Sequence, residues 1–127
     1  MSKDAVSTSK APAAVGPYSQ GIKAGGLLFI SGQLPIDMAT GQQISDDISR
    51  AATACLNNVL AIVEAGGATK ASIVKCTMFL QDMKDFAKAN EAYAAFFEGV
   101  TPPSRSAFEV AKLPKDAIVE IEAIATI

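Results

Sequence analysis

No histidine occurs in this chain of 127 residues, and no tryptophan. The first absence excludes imidazole acid–base chemistry, a Ser-His-Asp triad and a His-ligated zinc site. Any catalysis falls to carboxylates, Arg, Lys, Tyr, hydroxyls, amides or the backbone. Cysteine is scarce. Cys55 and Cys76 lie far apart in apolar segments, a spacing that suggests neither a disulfide nor a metal site and predicts two buried thiols. Charge is sparse as well: 19% of residues are charged and the net charge is −2. The cations are scattered singly, among them Lys10, Arg50, Lys70, Lys88 and Lys112. Nothing in that distribution tracks a phosphate backbone, so nucleic acid is not an expected partner. No apolar run is long enough to span a bilayer, and the start Met1-Ser2-Lys3-Asp4 carries no apolar leader. The expected location is the cytoplasm, with no membrane partner.

Half of the residues are apolar, enough for a core without metals or disulfides, and the length predicts one domain over 1–127. Residues 1–17 read as a small, polar arm with Pro12 and Pro17, adding a short edge strand around Ala5–Ser9. Gly21–Ala24 and Leu27–Ser31 flank Gly25-Gly26, the pattern of a β-hairpin. Pro35 and Gly41 mark a loop. From Asp46 to Ala65, Ile48, Ala52, Cys55, Val59 and Ile62 recur at helical spacing, with Ser45 as the expected N-cap and Gly66-Gly67 as the stop. Ser72–Leu80 reads as a strand, and Asp85–Glu98 as a second helix ended by Gly99. Thr101-Pro102-Pro103 is a rigid connector. Ser104–Val110 and Ile118–Ile127 are the last strands, expected to pair antiparallel around the turn at Leu113-Pro114-Lys115-Asp116.

This order gives an α/β (α+β) fold, and strand–helix–strand requires a right-handed crossover. Two helices cover one face of a sheet and leave the other bare. In the last strand Val119, Ile121, Ala123 and Ala125 point one way, while Ile118 and Ile124 point the other. A sheet that is apolar on both faces, with helices for only one, predicts self-association.

Glu120 and Glu122 share a strand face among apolar neighbours, where a carboxylate is costly without a partner. They read either as an interface or solvent-facing pair or as catalytic acids. Arg105, mounted behind Pro102-Pro103, suits a planar carboxylate through two parallel hydrogen bonds. It equally suits a structural Arg–Glu pair. Gly32, in Ser31-Gly32-Gln33, lets a backbone N–H approach a ligand closely, or is an ordinary turn. Tyr18 is a site or a core residue, and Asn90 interrupts the second helix beside its apolar stripe.

The run Pro103-Ser104-Arg105-Ser106-Ala107-Phe108-Glu109-Val110, then Ala111-Lys112-Leu113-Pro114-Lys115-Asp116 and Val119-Glu120-Ile121-Glu122, resembles the C-terminal signature of the RidA (YjgF) family. Gly16-Pro17-Tyr18-Ser19-Gln20-Gly21 and Ile30-Ser31-Gly32-Gln33 resemble its N-terminal blocks. The resemblance implies a chorismate-mutase-like fold, a six-stranded mixed sheet with two helices on one face, assembled as a homotrimer with clefts between subunits. It implies hydrolysis of reactive 2-imino acids to 2-keto acids and ammonia, without cofactor or metal. By position, Arg105 would bind the substrate carboxylate and Glu120 would orient and deprotonate water. Tyr18, Ser31, Gly32, Asn90 and Ala107 would line the cleft. Many members carry Cys where this chain has Ala107, so a role for a thiol there is lost and one for the backbone carbonyl survives.

The chemistry fits the residues. A protonated imine is electrophilic enough for water to add once substrate and water are fixed and a proton is passed. Three other readings stand beside it: a non-catalytic 2-keto acid sensor, an RNA-cleaving translation inhibitor or chaperone, and chorismate-mutase chemistry by fold analogy alone.

Overall fold

A computed structural model describes residues 2–127. The strongest apolar period forms the longest element, helix α1 (Ile48–Ala65). Its N-cap is Asp47, not Ser45. Asp47 has extended backbone, and its carboxylate accepts from the Arg50 N–H at 3.1 Å, a contact Ser45, two residues upstream, does not make. Gly66 caps the other end, and Gly67, at φ 88°, turns the chain away.

The strands are β1 (Asp4–Val6), β2 (Gly21–Ala24), β3 (Leu27–Gln33), β6 (Ile73–Leu80), β7 (Ser104–Glu109) and β8 (Val119–Thr126), with helix α2 (Phe86–Phe96) between β6 and β7. The β2–β3 hairpin turns at Gly25 and Gly26, at φ 60° and 77°, which glycine adopts without steric penalty. The stretch between Pro35 and Gly41 is more than a loop, since β4 (Ile36–Asp37) pairs there with β5 (Gln42–Gln43). The six long-range strands form one mixed sheet in the order β1-β2-β3-β8-β6-β7.

One expected pairing is overturned. β7 does not pair with β8. It lies at the sheet edge, parallel to β6 with Arg105 opposite Cys76, while β8 runs antiparallel between β3 and β6. The cause is the α2 crossover, which returns the chain beside β6 in the same direction. The turn before β8 must then carry the chain across β6.

Leu28 and Ile30 of β3, Cys76, Met78 and Leu80 of β6, and Val119, Ile121, Ala123 and Ala125 of β8 are buried together with Cys55, Leu56, Val59, Ile62 and Val63 of α1. Each large side chain among them contributes roughly 1.5–3 kcal/mol by leaving water. Tyr93 and Ala89 of α2 join the same core, so both helices lie on one face. Both cysteines are free and buried. The opposite face is bare. Phe29, Val74 and Phe108 are exposed, Phe79 packs edge-on to Phe108 with centroids 5.3 Å apart, and Ile124 is half-buried beside them. No helix among the described residues is long and apolar enough to cross a membrane.

Candidate functional site

The bulge in β3 builds the first half of the site. Three steps from Ile30 to Gln33 on β3 face two steps from Ala123 to Ile121 on β8, so Ser31 and Gly32 are pushed out of register. The Ser31 hydroxyl donates to the Ser19 carbonyl at 2.6 Å and its N–H to the Gln20 carbonyl at 3.0 Å, which ties the bulge to the segment carrying Tyr18. The Glu120 carboxylate rests against the space a side chain at position 32 would fill. A Cβ on Gly32 would lie 2.8 Å from the Glu120 carboxyl carbon and would overlap one carboxylate oxygen. Glu120 is half-buried, and its pKa is pushed above the usual carboxylate range, first by burial and then by Glu122 two residues along the same face.

Tyr18, Ser31, Gly32 and Glu120 thus line one cleft of about 510 Å³, walled also by Val15 and Lys115. Its N-terminal wall is pinned by a single buried amide: the Gln20 side chain accepts from the Thr8 N–H at 2.7 Å and donates to the carbonyls of Thr8 at 3.1 Å, Ala11 at 3.4 Å and Pro12 at 2.8 Å. Its far wall is a strained turn, in which Lys115 and Asp116 both take positive φ, at 56° and 54°. The Gln43 side chain donates to the Lys115 carbonyl at 3.0 Å and holds that turn down.

Arg105 and Asn90 form the second half. Arg105 Nη1 donates to Asn90 Oδ1 at 2.6 Å. The guanidinium carbon sits 4.7 Å from the Tyr93 ring centroid and 5.4 Å from that of Phe86. Behind it lies a cavity of about 380 Å³ bounded by Tyr93, Phe97, Pro102 and Pro103. Ala107, two residues along β7 on the same face, is half-buried.

These halves do not meet within one chain. Arg105 is level with Cys76, and Cys76 with Ala123, so all three point toward the helices. Glu120 is level with Phe79, and Phe79 with Phe108, so these three point away. The guanidinium and the carboxylate therefore occupy opposite faces, on strands separated by β6. The sheet is shared, as expected, but the direct strand contact that was to bring Arg105 toward the glutamates is absent.

Tyr93 and Phe86, on the apolar stripe of the second helix, are not among the expected site residues. A signal was present. Phe86, Asn90 and Tyr93 fall at i, i+4 and i+7, one face of a helix. Lys115 was read only as part of a turn. Among the described residues no three His, Cys, Asp or Glu side chains gather as metal ligands.

A family model described as endoribonuclease L-PSP matches residues 8–127. The chain is 50% identical over 127 residues to a 2-iminobutanoate/2-iminopropanoate deaminase of Salmonella typhimurium, covering 98% of each. It is 50% identical over 123 residues to a RutC family protein of Pyrococcus horikoshii, covering 97% of each. The crystal structure of Escherichia coli TdcF with bound serine superposes with a TM-score of 0.93 at 44% identity, covering 98% of both chains. With the fold, the spaced motifs and these full-length matches in agreement, the chain belongs to the RidA (YjgF) family.

Proposed function

We propose that this protein hydrolyses 2-imino acids to 2-keto acids and ammonia, as one domain over 1–127 assembled into a homotrimer, with each site shared by two copies. The observation that carries the reading is Glu120, a half-buried carboxylate of raised pKa seated on a glycine in an open cleft. A group in that setting can take a proton from water and return it. The Salmonella relative is named for this reaction on 2-iminobutanoate and 2-iminopropanoate. The TdcF structure holds serine, which carries the same α-carboxylate on a small side chain.

Arg105 of one copy binds the substrate carboxylate through two guanidinium N–H groups, steadied by Asn90. Glu120 of a neighbouring copy holds a water against the iminium carbon and takes its proton as the C–O bond forms. The resulting carbinolamine is protonated on nitrogen, loses ammonia as the C–N bond breaks, and its hydroxyl proton leaves to give the keto acid. Tyr18, Ser31 and Gly32 wall the reacting carbon, and Ala107 offers its carbonyl. The opposite-face placement of Arg105 and Glu120 supports a shared site. The bare face bearing Phe29, Phe79 and Phe108 supports the assembly that would close it. The RNA-cleaving alternative finds no imidazole and no run of cations.

The test is keto-acid release from imines generated in situ by an amino-acid oxidase. Acceleration by the wild type that disappears in Arg105→Ala and in Glu120→Gln is the expected result. Binding of a 2-keto acid with no acceleration by the wild type would leave a metabolite sensor.

A further inference from the structure

Among the described residues Arg105 has no acidic partner within salt-bridge distance. Its contacts are with neutral groups instead: the ring faces of Tyr93 and Phe86 and the Asn90 amide oxygen. A carboxylate in their place would hold the guanidinium as firmly but would neutralise it and occupy its fork. Aromatic faces attract the cation and leave its charge and most of its N–H donors available. The Tyr93 ring is buried, its own position fixed by Phe97 at a centroid distance of 4.8 Å. Its hydroxyl is turned toward the buried Cys76 thiol, so what the side chain presents to Arg105 is the ring. Phe86, Asn90 and Tyr93 share one face of α2, and that face meets the edge strand at Arg105.

We propose that Tyr93, with Phe86, is the positioning residue for Arg105, presenting the guanidinium uncompensated to the carboxylate of an anionic substrate. The inference rests on the carboxylate-binding role given to Arg105 above. Losing the ring should misplace or loosen the cation and weaken ground-state and transition-state binding alike, which raises KM with little effect on kcat.

The experiment measures kcat and KM for imine hydrolysis in wild type, Tyr93→Leu, Tyr93→Phe, Phe86→Leu and Arg105→Ala, with the thermal midpoint and oligomeric state of each. Tyr93→Leu is expected to raise KM on the order of tenfold, with kcat within about threefold. Tyr93→Phe, which restores the ring without the hydroxyl, is expected to bring KM back. A loss of general packing would lower the amount of folded enzyme and not split KM from kcat in this way. If Tyr93→Leu does not fold, Phe86→Leu at the half-buried start of α2 provides the same readout with a smaller rise in KM. Loss of activity in Arg105→Ala with an unchanged KM in both leucine variants would overturn the positioning role alone. Full activity in Arg105→Ala would overturn the carboxylate role and the positioning role together. A Tyr93→Phe variant as impaired as Tyr93→Leu would show that the hydroxyl, not the ring, matters, and would also overturn the proposal.

Discussion

Two inactive variants should restore each other. In the proposed mechanism Arg105→Ala removes the carboxylate clamp and Glu120→Gln removes the base, so neither is expected to turn over imines by itself. Strand parity sets the outcome of mixing them. Arg105 points to the helix side of β7 and Glu120 to the bare side of β8, with β6 between, and the strand axes are roughly 10 Å apart. No side-chain rotation brings the two groups together in one copy. If each cleft takes Arg105 from one copy and Glu120 from its neighbour, a randomly mixed assembly has intact clefts where a Glu120→Gln copy supplies the arginine and an Arg105→Ala copy supplies the carboxylate. In an equal mixture that combination arises at about one quarter of the clefts. The assay is keto-acid release after the two variants, carrying different affinity tags, are co-expressed and the doubly tagged species isolated. Isolating the doubly tagged species removes the single-variant trimers and leaves about one intact cleft in three, so activity near a third of wild type is expected. Activity no higher than the mean of the two separate variants would refute the shared site, because a site built within one copy is defective in every chain of the mixture.

The raised pKa of Glu120 gives a second expectation, with a definite sign. A carboxyl held above its ordinary value stabilises the fold while protonated; that contribution is present below the ordinary pKa and lost as pH rises through the raised one. Glu120→Gln is therefore expected to gain thermal midpoint over wild type at neutral pH and to lose that advantage near about pH 4; an equal gap at both would dismiss burial as the cause. Gly32→Ala places a Cβ 2.8 Å from the Glu120 carboxyl carbon, so kcat/KM should fall by at least about tenfold while the fold survives, and unchanged kinetics would show that the carboxylate works elsewhere. Asp116→Gly relieves a φ of 54° in a non-glycine residue. The gain should be roughly 1 kcal/mol, read by denaturant titration, because the exposed ion pair it removes with Lys112 contributes little.

The features legible in the residues alone are those that short-range physics specifies. Helix α1 followed from an apolar period sustained across its length, and the β2–β3 hairpin from two glycines that tolerate positive φ. The two faces of β8 followed from strict alternation between Val119 and Ala125. The residue types of the candidate site were legible too, since carboxylates in an apolar strand and an arginine behind two prolines are conspicuous. Strand order was not. Nothing between Ser104 and Ile127 records that β8 inserts between β3 and β6, because that choice depends on the faces of strands far away in sequence. Reading the last two strands as neighbours therefore put Arg105 and Glu120 closer than the register allows. The placement of Tyr93 under Arg105 was hidden for a related reason: a buried aromatic beside a helix core looks the same in sequence whether it packs on leucine or under a guanidinium. The N-cap was a local ambiguity, with Ser45 and Asp47 both of the right type and only Asp47 reaching the Arg50 N–H.

The Gln20 amide has a consequence for local opening. It is buried within the sheet margin, and the segment it anchors, Thr8 to Pro12, is held by its hydrogen bonds, with the small side chain of Ala11 as its tie to the core. The free energy that keeps this rim closed is accordingly set by a handful of polar contacts and one small buried side chain, well below that of global unfolding. Backbone amides from Ser9 to Tyr18 should exchange with solvent deuterium while those of α1 and β8 remain protected. The cleft then sits between two regimes of stability, a rigid floor formed by β3 and β8 and a rim that opens on its own timescale.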